Sequence, residues 1–195
     1  MMTLRSTAVY WHLFLVLPFV PTTAYAADWD IEQLMQSLAQ TRVGHAHFIE
    51  KKFIALLDKP VESSGELFYN APDRLEKRTL KPKPESMLLD QGALLIERGR
   101  QKYRLPLQDY PELAVFIESI RGTLAGDRTA LERNYQLTLG GNIDQWTLRL
   151  VPLDEKMRAV VQSIRIAGVR DAIRRIEIFQ TDGDRSLMLI EKLTP

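Results

Sequence analysis

The chain has 195 residues, 26 Lys+Arg against 25 Asp+Glu, three His and no Cys. That length suits one domain, and 45% hydrophobic with 26% charged residues is globular composition, which excludes a disordered, collagenous or coiled-coil chain. A formal charge of +1 offers no polybasic field to nucleic acid, and the absence of Cys removes disulfides, thiolate nucleophiles and Cys-ligated metals together.

Residues 1–26 read as a secretory signal peptide. Arg5 precedes an apolar run from Ala8 to Val20, Pro18 and Pro21 break it, and Ala24-Tyr25-Ala26 supplies small residues around a cleavage point. The run is shorter than the roughly 20 apolar residues of a membrane-spanning helix. Cleavage removes Arg5 and no acid, so residues 27–195 form a single neutral domain. No Cys follows the run to carry a lipid anchor, and export without disulfides fits the periplasm of a Gram-negative bacterium. No later stretch approaches membrane-spanning length, so a soluble product is expected.

The first segment of the expected mature chain, Asp28–Thr41, reads as a helix. Ile31, Leu34, Met35, Leu38 and Ala39 form one apolar stripe, with Asp28 and Asp30 at the favourable end of the dipole. The period then changes from 3.6 to 2. Six strands follow at Val43–Phe53, Val61–Tyr69, Arg74–Leu80, Ser86–Asp90, Ala93–Arg98 and Gln101–Leu105, separated by turn residues such as Asn70-Ala71-Pro72-Asp73 and Gln91-Gly92.

A helix is expected over Pro111–Leu124, with Asp109 as acid cap and Leu113, Phe116, Ile117, Ile120 and Leu124 on one face. Gly122 and Gly126 mark its end and allow it to hinge as a lid. A shorter helix is expected from Asp127 to Arg133. Strands resume at Tyr135–Leu139, Gln145–Val151, Ser163–Ala167, Ile173–Gln180 and Arg185–Lys192, with a helical turn near Asp154–Met157 and a hairpin signal at Asp182-Gly183.

The strands alternate apolar and polar, as in an antiparallel sheet wetted on one side. About eleven strands curl and need a cover, and only two or three helices are available. The expected fold is therefore mainly β with helices (α+β): an incomplete antiparallel β-barrel lidded by helices, with an interior not completely filled.

The scan for chemistry is mostly negative. No nucleophile elbow, phosphate loop, HExxH or EF-hand pattern occurs. His45 and His47 share a strand face without further ligands to complete a metal site. Glu50-Lys51-Lys52 and Arg174-Arg175 read as solvated faces. No cofactor, metal or enzymatic activity is expected.

The chain resembles the LolA-like family of periplasmic carriers of outer-membrane lipoproteins. The resemblance rests on His45-Ala46-His47-Phe48-Ile49-Glu50, on Ser63-Ser64-Gly65-Glu66-Leu67-Phe68-Tyr69 running into Asn70-Ala71-Pro72-Asp73-Arg74-Leu75, and on the order of elements. It implies an unclosed barrel under helices whose apolar cavity takes lipoprotein acyl chains, with no metal or nucleotide. The implied partners are an inner-membrane transporter or exporter and an outer-membrane acceptor, and the carrier is expected to be a monomer. The alternative cargo is another lipid or a glycolipid. The chain departs from the main carriers in having Ala71 where they hold an arginine tied to the lid, Leu75 where they hold an aromatic, and Pro195 directly after the last strand.

By face and period, the residues expected to line the cavity are Phe48, Leu67, Tyr69, Leu75, Tyr103, Phe116, Ile117, Ile120, Trp146 and Leu148. Lys77 shares a strand face with Leu75 and is the head-group candidate, because an inward ammonium needs an anionic partner.

Overall fold

Residues 29–193 are described by a computed structural model; the expected signal peptide, residues 1–26, lies outside them. The period-two segments form one antiparallel sheet of eleven strands. In chain order these are β1 (Val43–Phe53), β2 (Val61–Asn70), β3 (Arg74–Lys81), β4 (Glu85–Asp90), β5 (Ala93–Arg98), β6 (Gln101–Pro106), β7 (Tyr135–Asn142), β8 (Gln145–Pro152), β9 (Val161–Val169), β10 (Ala172–Gln180) and β11 (Arg185–Lys192). The helices are α1 (Ile31–Leu38), α2 (Pro111–Ala125), α3 (Arg128–Asn134) and α4 (Glu155–Arg158).

The spatial order is β6-β5-β4-β3-β2-β1-β11-β10-β9-β8-β7. The first strand thus sits at the centre, flanked by its own hairpin partner and by the last strand. Strands β6 and β7 are edges, so the sheet is open and does not close into a barrel. Each ladder pairs residues of like facing, which carries one row straight across the sheet: Leu139, Leu148, Ile166, Ile176, Met188, Glu50, Ser63. The row is apolar until it reaches Glu50.

Helices cover this face unevenly. Leu34, Met35 and Leu38 of α1 and Leu131 of α3 pack on Trp146, Leu148, Leu150, Ile164 and Ile166 in one buried cluster. Each such side chain contributes on the order of 1.5–3 kcal/mol by leaving water. The helix starts follow from local chemistry. Asp30 accepts from Gln33 N–H, Asp127 from Ala130 N–H and Asp154 from Met157 N–H, each satisfying an orphan amide.

Two expectations for α2 are corrected. Its N-cap is Tyr110, with no side-chain cap bond; Asp109 instead ends a 3-10 turn over Leu107–Asp109. Pro111 opens the helix, bringing no N–H of its own to satisfy and a φ already preset for the helix. The two glycines are packing contacts rather than hinges. A Cβ at Gly122 would stand 3.0 Å from Leu131 Cδ2, and one at Gly126 only 2.1 Å from the Met35 carbonyl oxygen. Gly126 also takes φ +66, the left-handed cap. This end of α2 is pinned against α1 and α3.

Candidate functional site

The remaining part of the concave face is not filled. Between α2 and strands β1–β5, β10 and β11 lies a cavity of about 670 Å³, within the range of small-molecule sites. Its cause is the floor. On their inward faces, β1 and β2 set Gly44, Ala46 and Gly65 among Phe48, Leu67 and Tyr69, where β8 and β9 carry Trp146, Leu148, Leu150, Ile164 and Ile166. A single helix over such small residues leaves space. From α2 the walls are Leu113, Phe116, Ile117, Ile120 and Leu124; from the sheet they include Leu67, Leu75, Leu89, Ile176, Met188 and Ile190.

Of the residues expected to line a cavity, the structure brings together Leu67, Tyr69, Leu75, Phe116, Ile117 and Ile120. Four fall elsewhere. Trp146 and Leu148 are fully buried in the packed cluster beneath α1 and α3, where the Trp146 indole N–H donates to the Arg170 carbonyl at 2.9 Å. Tyr103 shares the facing but stands on edge strand β6, 47% exposed. Phe48 is buried beneath Lys77, whose Nζ lies 4.9 Å from the ring centroid, and does not reach the cavity. Period assigns a residue to a face; it does not say which part of that face a helix fills.

Lys77 does point inward, and its partner belongs to the chain itself. Its Nζ donates to Glu50 Oε2 at 2.5 Å. Glu50 is 5% exposed, and it also accepts from Ser186 Oγ at 2.8 Å and Ser63 Oγ at 3.3 Å, with Lys52 Nζ 4.0 Å away. Burial pushes the Glu50 carboxyl up, but Lys77, Lys52 and Ser186 outweigh it and hold the carboxyl below its ordinary value. Glu50 is therefore an ionised group in the apolar row, not the solvated side chain its neighbours in sequence implied. The signal was its parity with Phe48, two residues earlier and expected inward.

Gly65 makes that contact possible. It faces Phe48 on β1 and sits between the Glu50 and Lys77 positions across the ladder, so no side chain intervenes. A Cβ there would stand 2.0 Å from the Arg78 carbonyl oxygen, where β2 and β3 close up at a register shift.

The opposite end of the floor carries a different polar group. Tyr69 pairs with Gly44, and its buried hydroxyl has no hydrogen-bond partner among the described residues. Burial raises its pKa, partly offset by Arg121 and Arg42. The histidines turn to the convex face, where His45 stacks on Phe68 with ring centroids 4.4 Å apart and approaches Glu66.

Comparison with known proteins gives one family. The family described as "Outer membrane lipoprotein carrier protein LolA-like" matches residues 23–192. No curated protein matches the sequence. Among solved structures, a LolA superfamily protein from Nitrosomonas europaea aligns over 85% of this chain and 94% of that one, at 10% identity and TM-score 0.43. A putative outer membrane lipoprotein-sorting protein domain from Vibrio parahaemolyticus aligns over 84% and 91%, at 10% identity and TM-score 0.42. The MucA/MucB complex from Pseudomonas aeruginosa aligns over 85% of this chain and 58% of that one, at 15% identity and TM-score 0.47. At these scores the solved structures say nothing of what this chain binds.

Proposed function

We propose, for a chain that belongs to the outer membrane lipoprotein carrier protein LolA-like family, that it is a periplasmic carrier holding lipoprotein acyl chains in the cavity and moving them from inner to outer membrane. The observation that carries this reading is the unfilled, apolar cavity of about 670 Å³ beside a solidly packed core. Each methylene buried there gains about 0.8 kcal/mol over water, so shielding an acyl chain requires no chemical step. The activity is binding, with Leu67, Tyr69, Leu75, Phe116, Ile117 and Ile120 as contacts for the chain. No helix among the described residues is long and apolar enough to cross a membrane, which suits a carrier that takes cargo from an inner-membrane transporter and yields it to an outer-membrane acceptor.

The charged cluster at Glu50 favours a second reading, in which the cargo is another lipid or a glycolipid received from an inner-membrane exporter. Mass spectrometry of the organic-extractable material that co-purifies from the periplasm tests both. Acylated peptides support the first reading and peptide-free lipid the second. A lipid-free protein that also fails to bind a fluorescent fatty acid overturns both.

A further inference from the structure

We propose that Lys77 and Lys52, set against Glu50, form a head-group subsite for a monoanionic amphiphile, an acyl chain ending in a carboxylate or phosphodiester. This rests on the lipid-binding reading above and names the class of ligand for that cavity. Charge is the first argument. One carboxylate, Glu50, stands against two ammoniums, Lys77 at 2.5 Å and Lys52 at 4.0 Å, so the cluster carries one unbalanced positive charge. Of the other carboxylates along the lining, Glu76 is paired with Arg78 and Asp171 with Lys192, while Asp184 keeps its charge and accepts from the Ala55 N–H.

Geometry is the second. Exposure rises from buried Glu50 through Lys77, whose side chain is 25% exposed, to Lys52 at 55%, so the positive charge reaches from the floor to water. Along β1 the Glu50–Ser63 rung lies six residues from the Gly44–Tyr69 rung, about 20 Å at strand rise. Between the two ends Ala46 and Leu67 line the cavity, and Phe48 lies buried beneath the Lys77 ammonium. An acyl tail laid along this floor toward Tyr69 would leave its terminal anion beside Lys77.

Packing alone does not call for such a pair, because taking two charges out of water costs more than an apolar pair of the same volume. An ammonium has three donors, and Lys77 uses one on Glu50. A ligand anion would therefore share or compete for Lys77, with Glu50 as the internal competitor.

The test titrates the delipidated protein at neutral pH with dansyl-undecanoic acid and with its methyl ester. The acid is expected to bind about tenfold more tightly, the worth of a charge-assisted hydrogen bond. Lys77→Met should abolish that preference while the ester still binds. Glu50→Gln should strengthen the acid about threefold or more and leave the ester unchanged, the opposite of what a purely structural ion pair predicts. Should Lys77→Met not fold, Glu50→Gln and Lys52→Ala decide; the latter should cut the acid preference by about half.

Equal affinities of wild type for acid and ester overturn the subsite, as does weaker acid binding in Glu50→Gln. Displacement of the acid by a large excess of acetate would show a small-anion site and overturn it too. Failure of both probes to bind, by contrast, strikes the lipid-binding reading itself.

Discussion

Lys77 and Glu50 meet at 2.5 Å across a position that carries no side chain, Gly65. The pair joins strands β1 and β3 over the strand between them, at the point where the apolar row of the sheet ends. Removing one partner leaves the other charge in a largely dry site. Lys77→Met is expected to cost about 2 kcal/mol, at the low side for breaking a buried pair because the Lys77 side chain is partly exposed. Urea denaturation measures it, and Glu50→Met/Lys77→Met together should recover most of the loss. A single variant as stable as wild type would mean that the pair contributes nothing to the fold.

The pH dependence follows from the same pair. The Glu50 carboxyl titrates below its ordinary value in the folded protein, so the unfolded chain takes up that proton first as acid is added. The contribution of Glu50 is then fully present above the ordinary carboxylate range and is lost as pH falls through its folded pKa. In Glu50→Gln the decline in stability from pH about 6 to about 3 should be shallower than in wild type. Parallel curves from thermal melts across that range would exclude Glu50 as a contributor to acid sensitivity.

Gly65→Ala should be far more disruptive than an exposed glycine substitution. The added Cβ meets backbone, the Arg78 carbonyl oxygen at 2.0 Å, and no flexible side chain can give way. We expect a loss of about 2–3 kcal/mol together with weaker coupling between Glu50 and Lys77. Gly140→Ala, where no atom stands within 4 Å, serves as the control and should change little.

The division of the concave face into packed and unfilled parts predicts opposite mutational signatures. Leu148→Ala, at a fully buried site, should cost about 3 kcal/mol through lost transfer energy and a new void, with acyl binding retained in the folded fraction. Leu67→Trp, on the cavity floor, should leave stability within about 1 kcal/mol and block uptake of a fluorescent fatty acid. Unfolding midpoints and probe titration on the two variants check both halves, and loss of binding in Leu148→Ala at full foldedness would contradict the division.

Much of the fold was legible because local physics decides it. Alternation in segments such as Tyr135–Leu139 and Gln145–Val151 marked strands that do form. Asp182-Gly183 does fall in the connection from β10 to β11, with Gly183 at φ +93, but that connection is longer than a two-residue hairpin turn: β10 ends at Gln180, β11 begins at Arg185, and Gln180 N–H donates to the Asp184 carbonyl. The stripe Ile31–Leu38 marked α1. Gly122 and Gly126 misled, because a glycine that frees the backbone and one that lets two helices touch look the same in sequence. Only the neighbours, Leu131 and Met35, tell them apart.

The sequence by itself determined the strands, their facing and the chemistry available on each face, since these follow from side-chain period and backbone preference over a few residues. It carried the inward direction of Lys77 and, unread, that of Glu50, both through parity along a strand. Which part of the concave face α1 and α3 fill, and so why Leu67 meets a cavity while Leu148 meets Leu34 and Leu131 in one core, was decided only when distant segments packed. That choice depends on the order β6 to β7 around a central β1, on small residues at Gly44, Ala46 and Gly65, and on long-range contacts that no local window contains. The Glu50–Lys77 pair belongs to the same class. Its two residues stand 27 apart in the chain, and the low dielectric that makes their charges matter exists only inside the finished sheet.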